Sequence, residues 1–417
     1  MIRLWRYNGS ISRCSSGIQT PKLLKSNNMN DIIQVETYFD GDRYFNDGPY
    51  LIFITDGCIN NIVRKHQVNS DLFLQPGHNL ITSSFAMPGL AEGHAHLFLA
   101  GEELDFEKRS KYLRSHLSSF LETGRNNLQK SLEAGITLVR DAGDIHGVNT
   151  ILRNSRNGSL PHIRSAGKAL RKKGRYGSFM GVEVEKRDDF DHTIVKLASH
   201  ADELKILLTG IIDFEKGEVK GAPQFDLDEL KHITSVCKDL KLRNFVHCSG
   251  SEGIDIAIEA GINSIEHGFF MMEHHLSRMT DQDMEWVPTF SPVKFQLENP
   301  ELAGWNKQSQ NAIRAILDNH HEMVGRGGEI GLHIIPGSDA GSYGVEHGKS
   351  LLDEIVHLVN SGLSLTQVLH NATILVREKW NLPLNYLRIG NKEPFVLLEE
   401  DPFANIRNIY SEKKIVL

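Results

Sequence analysis

Between about residues 30 and 86, apolar positions recur in short alternating stretches. Ile32–Tyr38 alternates, and Tyr50–Ile54 and Asn61–Val63 flank the turn Asp56-Gly57. A period of two with a tight turn between runs predicts short strands in a small sheet. From about residue 87 the pattern changes. Short apolar runs now alternate with amphipathic stretches of helical period. The runs lie around Met87–His96, Thr137–Asp141, His162–Ala166, Leu204–Thr209, Asn244–His247, Ser264–His267, Trp286–Thr289 and Ile334–Asp339. Helical stretches fall between them, among them Ser119–Ala134, Asp226–Leu240, Gly253–Ala260 and Ala312–Arg326. Gly135 and Gly261 follow two of these directly, where glycine takes the left-handed turn that ends a helix.

Repeated strand–helix alternation predicts an α/β fold with parallel strands. Eight units over about 300 residues suit a closed (β/α)8 TIM barrel better than an open doubly wound sheet. Glu393–Leu398 and Lys413–Leu417 read as strands again, placed to return to the N-terminal module. The expected organisation is a disordered leader of residues 1–29, a small β-sandwich built from residues 30–86 plus 385–417, and a barrel of residues 87–384.

Composition narrows the function. The chain has 417 residues, 40% hydrophobic and 24% charged, with a net charge of −7. That balance gives no basic footprint for nucleic acid. No apolar run approaches the roughly 18 residues that a membrane span needs. The four cysteines, Cys14, Cys58, Cys237 and Cys248, form no CxxC pair. Unpaired cysteines fit a reducing compartment, so the expected location is the cytoplasm. The first 28 residues carry Arg3, Arg6, Arg13, Lys22 and Lys25 and no acid. They lack the apolar segment of a secretory signal. A transit peptide would share that charge. A leader or an upstream start is the plainer reading, since Met29 stands just before the first patterned segment.

The chemistry begins at His94-Ala95-His96. With 20 histidines in the chain, chance alone supplies roughly one such pair. On a strand, i and i+2 share a face, so two imidazoles can meet one metal. Two unrelated histidines would read the same, and position separates the cases. The pair ends the first barrel run, and catalytic groups of such barrels stand at the C-terminal ends of strands. His247, His267 and Asp339 end three further runs. Cys248 reads as a small buried residue, and Arg140-Asp141 as an ion pair near the second strand.

Lys205 lies inside the fourth run, where a bare ammonium is costly to bury. It is either a lysine paired with an acid or directed to solvent, or a neutral amine that has added CO2. The resulting carbamate is an anion able to bridge two cations, which would repel an ammonium.

In this order the chain resembles the amidohydrolase superfamily, nearest its imidazolonepropionase-like and Xaa-Pro dipeptidase-like branch. The residues that carry the resemblance are Met87-Pro88-Gly89-Leu90 leading to His94-Ala95-His96, Gly135-Ile136-Thr137-Leu138-Val139-Arg140-Asp141-Ala142-Gly143, and Leu204-Lys205-Ile206. Further on stand His247, Ser264-Ile265-Glu266-His267-Gly268, Pro288-Thr289, Gly337-Ser338-Asp339-Ala340-Gly341 and Asp401-Pro402-Phe403-Ala404-Asn405-Ile406. The resemblance runs from about residue 50 to the C-terminus. It implies a barrel plus a β-sandwich from both chain ends. It also implies a metal held by His94, His96 and Asp339, a second held by His247 and His267, and a carboxylated Lys205 bridging them. Two positions depart from the family pattern. Glu92 replaces the usual Asp two residues before the first histidine. After the third strand, Gly174-Arg175-Tyr176-Gly177 replaces Gly-Gly-His-Gly.

The expected activity is hydrolysis of an amide or other C–N bond of a small molecule, such as a dipeptide or N-acyl amino acid. Two divalent ions, with zinc the expected metal, lower the pKa of a shared water and polarise the carbonyl. Asp339 takes the water's proton and passes it to the leaving nitrogen. Arg175, Tyr176, Tyr343 and His347 lie on loops after the third and eighth strands and are candidates for binding substrate. Two rivals stand beside this reading. One is a mononuclear cyclic-amide hydrolase or deaminase with unmodified Lys205. The other is a barrel that has lost catalysis and serves as a binding protein. Oligomeric state is not legible in the pattern.

Overall fold

The computed structural model describes residues 30–68, 78–155 and 160–416; the expected leader of residues 1–29 lies outside them. The N-terminal strands are β1 (Asn30–Phe39), β2 (Tyr44–Phe45), β3 (Tyr50–Thr55), β4 (Cys58–Arg64) and β5 (His78–Pro88). Next come β6 (Leu90–Ala95), β7 (Ile136–Asp141), β8 (His162–Ser165), β9 (Ala169–Lys172), β10 (Gly181–Val184) and β11 (Glu203–Leu207). They are followed by β12 (Ile212–Asp213), β13 (Glu218–Val219), β14 (Arg243–Cys248), β15 (Ser264–His267), β16 (Glu285–Val287) and β17 (His333–Ile334). The chain closes on β18 (Phe395–Leu398) and β19 (Lys413–Val416).

Both chain ends meet in one mixed sheet. Its order is β19-β18-β5-β1-β3-β4, with β2 on β1. Alternation along its strands serves two cores. Ala86, Phe395 and Leu397 pack with Ile33, Val35 and Ile52 in a small cluster. Their neighbours Phe85, Met87, Val396 and Leu398 join the main core of the molecule. A period of two therefore sews the terminal sheet to the rest.

Apart from the antiparallel pair β12-β13, the remaining strands are parallel. A three-stranded sheet runs β6-β7-β8, and a seven-stranded one runs β10-β9-β11-β14-β15-β16-β17. Backbone bonds continue across both gaps: Asp202 N donates to Ser165 O at 2.8 Å, and Asp339 N donates to His94 O at 2.8 Å. The molecule is thus an α/β fold of parallel strands with helical crossovers. The helices form where their period was legible, at Leu117–Glu133, Leu227–Asp239, Ser251–Glu259 and Lys307–Glu329. Asp226 caps one of them by accepting from Glu229 N. Gly135 and Gly261 take φ of 86° and 73°, as stop signals should.

Three expectations need correction. The run around Met87–His96 is not one strand: Pro88 ends β5 in the terminal sheet, and β6 begins at Leu90 in the parallel one. The run Ile334–Asp339 is strand only at His333–Ile334, because Pro336 has no N–H for a ladder. The Arg140–Asp141 ion pair does not form. Successive strand residues face opposite ways. Arg140 turns to Glu266, and Asp141 accepts from Leu97 N and Gly143 N.

Gly93 sits where β6 meets the segment after β17. A Cβ there would come within 2.5 Å of Pro336 O and 2.9 Å of Ile335 Cγ2. Gly93→Ala is expected to lower stability by about 1–3 kcal/mol, as overpacking does. Denaturant unfolding would read this; an unchanged midpoint would mean that the segment yields freely.

Candidate metal centre

His94, Lys205, His247 and His267 stand on β6, β11, β14 and β15, His96 just past the end of β6, and Asp339 in the turn after β17. Five of the six line one cavity of about 200 Å³ (His96, Lys205, His247, His267 and Asp339). The sixth, His94, is fully buried behind them, with its Nε2 3.4 Å from Lys205 Nζ.

The rings are held from outside. His94 Nδ1 meets Glu266 Oε2 at 2.5 Å, His96 Nδ1 meets Gly143 O at 3.1 Å, and His267 Nδ1 meets Thr289 Oγ1 at 2.7 Å. His247 bonds the Gly210 backbone, and its Nε2 is buried with no hydrogen-bond partner among the described residues. A histidine held through Nδ1 presents Nε2 as a ligand. Burial also lowers the pKa of His94, His96 and His267 well below the usual imidazole range, and that of His247 to about 3. Neutral imidazole is the form that binds a metal.

Asp339 Oδ1 lies 3.7 Å from His94 Nε2 and 3.6 Å from His96 Nε2. Tetrahedral bonds of about 2.1 Å put ligand atoms about 3.4 Å apart, so this trio fits a divalent ion. Its ligand atoms lie within 4.8 Å of one another. His247 and His267 face each other with ring centroids 4.5 Å apart. Lys205 is buried, and no acid pairs with it among the described residues. Burial lowers the pKa of its amine to about 8 and raises that of Asp339 to about 6. The lowered pKa enlarges the fraction of neutral amine, the form that reacts with CO2.

The supports explain several buried charges. Glu266 accepts from Arg140 Nη2 at 2.7 Å through both oxygens and from Ser264 Oγ at 2.6 Å. Arg140 Nε also donates to Gly93 O at 2.6 Å. One guanidinium therefore fixes both the backbone before His94 and the carboxylate behind its ring. Glu266→Gln is expected to weaken metal retention about 10- to 100-fold, the usual cost of losing such a partner. Titration with a competing chelator would measure it, and unchanged affinity would dismiss the support. The departure at Glu92 has a structural answer. Its carboxylate does not touch the rings. It accepts from His94 N at 3.0 Å, from Ser338 N at 2.8 Å and from Ser338 Oγ at 2.6 Å, tying together the segments that carry His94 and Asp339.

Three non-glycine residues here have left-handed backbones: His267 (φ 69°), Thr289 (φ 52°) and Asp339 (φ 55°). Such conformations cost about 1–3 kcal/mol each and gather at functional sites.

The four residues expected to bind substrate divide. Tyr176 and Tyr343 line the cavity. Arg175 is exposed, its guanidinium donates to Ala222 O, and it is absent from the cavity wall. His347 is buried and also off the wall. The wall includes Leu99, Arg109, Leu113, Phe179, Met180 and Ser342, which no motif marked.

A model described as Amidohydrolase family matches residues 85–411. The chain is 25% identical over 290 residues to an uncharacterized protein of Mycobacterium bovis, covering 68% of this chain and 71% of that one. It is 23% identical over 372 residues to ochratoxinase of Aspergillus niger, covering 79% and 73%. Among solved structures, a Xaa-Pro dipeptidase with bound methionine in the active site superimposes with a TM-score of 0.75. It is 21% identical and covers 92% of this chain and 97% of that one. A. niger ochratoxinase gives a TM-score of 0.73 at 20% identity over 91% and 92%. These structural likenesses concern the fold.

Proposed function

The chain belongs to the amidohydrolase family, and on that footing we propose that it is a metal-dependent hydrolase of an amide or related C–N bond in a small molecule. The observation that carries this is a set of four histidines, each held through its far nitrogen: three line one cavity with Asp339 and Lys205, and His94 stands just behind them against Lys205. The parallel strands would then form a (β/α)8 barrel that begins with β6 at Leu90 and ends near residue 384. Hydrogen bonds from Asp339 N to His94 O and from His96 N to Ala340 O support its closure. The described strands of both chain ends, through Pro88 at the N-terminal side, form the accompanying β-module.

In this reading His94, His96 and Asp339 would hold one divalent ion, and His247 and His267 would hold a second. Lys205, once carboxylated, would add an anionic ligand, and zinc is the first metal to test. Bound divalent ions would lower the pKa of a water toward neutrality and polarise the substrate carbonyl. Asp339 receives the proton of the attacking water and delivers it to the leaving nitrogen. Its burial suits that task, since a base with pKa near the working pH both accepts and returns a proton. Ser342 Oγ, which donates to Asp339 Oδ2 at 2.9 Å, holds the carboxylate in place. Tyr176 and Tyr343 shape the pocket around the scissile bond.

A mononuclear alternative keeps Lys205 as an amine. The compactness of the His94–His96–Asp339 trio alone supports it. The test of the activity is a panel of dipeptides, N-acyl amino acids and cyclic amides offered to metal-loaded protein. Release of an amine from at least one substrate is expected. Release that persists undiminished in His94→Ala would defeat the proposal.

A further inference from the structure

The cavity wall carries a cation that no motif marked. Arg109 lies on α1 (Phe106–Tyr112), a short helix that packs against the turn after β17. Its guanidinium shares the cavity with His96, Lys205, His247, His267 and Asp339. Every hydrogen bond it makes among the described residues goes to a backbone carbonyl. Nη1 donates to Ala100 O at 2.6 Å and to Glu103 O at 3.3 Å, and Nη2 donates to Gly341 O at 3.1 Å.

Carbonyls orient a guanidinium but leave its charge unanswered. The two acids whose fields reach it are Glu102 and Glu103. Each is engaged elsewhere: Glu102 pairs with Lys130, and Glu103 Oε2 lies 3.7 Å from Lys108 Nζ. No acid forms an ion pair with Arg109 among the described residues, although it is half-buried. The bond to Gly341 O also ties the cation to the turn that carries Asp339, two residues away. The tyrosine wall is fixed to the same helix. Tyr343 stacks on Phe106 with ring centroids 4.6 Å apart, and the Arg109 guanidinium lies 5.7 Å from the Tyr343 ring centre.

We propose that Arg109 is the anion anchor of this cavity and selects substrates that carry a carboxylate on an apolar body. The inference rests on reading the cavity as the reaction site. A planar guanidinium binds a carboxylate through parallel N–H donors. Leu99, Leu113, Phe179 and Met180 supply the apolar surface beside it. A carboxylate fixed at one end holds the rest of the molecule in one orientation against Asp339. Arg175, the cation that sequence adjacency suggested, has no such position.

Binding isolates this from turnover. Metal-loaded protein is titrated calorimetrically with 3-phenylpropionate and with its neutral isostere 3-phenylpropionamide. Wild type is expected to bind the carboxylate at least tenfold more tightly. Arg109→Met is expected to lose that preference, and Arg109→Lys to keep part of it. Arg109 also pins α1, so the lysine variant checks that the wall still forms, and the methionine variant separates the guanidinium from the metals as the source of the preference. Equal affinity for the two probes, or no binding of either, overturns the proposal. So does a preference that survives intact in Arg109→Met, which would assign it to the metals. Failure to hydrolyse any amide, with the probe preference intact, would strike the hydrolase reading and leave the anchor standing.

Discussion

Asp339→Asn is expected to lower kcat by about 10²–10⁴-fold, the usual worth of a positioned proton carrier. The substitution is close to isosteric. The asparagine carbonyl can keep the place of Oδ1 near the His94 and His96 nitrogens, 3.7 and 3.6 Å away. Its NH₂ can donate to Ser342 Oγ, a hydroxyl able to accept as well as donate. The metal trio therefore keeps three ligands of reasonable type and loses one negative charge and the base. The expected signature is a collapse of kcat with a much smaller loss of metal. Steady-state kinetics beside elemental analysis of the same preparation would read both. An Asp339→Asn enzyme with near wild-type kcat would remove Asp339 from proton transfer.

Lys205→Met is the second large effect. Methionine keeps most of the volume and cannot form a carbamate. In the binuclear reading the bridging anion goes, and His247 and His267 are left as two neutral ligands. Metal content is expected to fall from about two ions to one or fewer. Losing several kcal/mol of transition-state charge stabilisation corresponds to about 10³-fold or more in kcat. The fold should survive, because Lys205 has no ion-pair partner among the described residues to strand. Breaking an established buried pair would cost about 3–5 kcal/mol. A melting temperature close to wild type, with metal lost, separates loss of a bridge from loss of structure. Retention of both metal and activity would sink the carbamate.

The candidate ligands were legible because a set of parallel strands gathers its strand ends on one side. His94, His247, His267 and Asp339 each close an apolar run, and the fold needs only parallel register to bring them together. Lys205 was legible for a different reason: a lysine inside an apolar run has to be explained. The supports were not. Glu266 behind His94 is set by the register of β14 and β15 and by Arg140 reaching across from β7, a separation of 126 residues. Glu92 looked like a defect beside the histidines, yet it serves the backbone of Ser338 on the far side of the chain.

The opposite wall was hidden more thoroughly. Arg109 sits on a seven-residue helix without a single buried residue, and its meaning comes from where that helix docks. Arg175 shows the reverse error, since nearness to a strand in sequence does not turn a side chain toward the cavity. Strand limits failed at Pro88 and Pro336, where an apolar run continues past the residue that ends the ladder. In both places composition outlasted hydrogen bonding.

The central claim is a two-metal centre built around a modified Lys205, and counting metal tests it most directly. Protein prepared with excess zinc and bicarbonate, freed of loose ion and measured by elemental mass spectrometry, should hold about two ions per chain. About one tightly bound ion per chain would contradict the binuclear account and favour the mononuclear one.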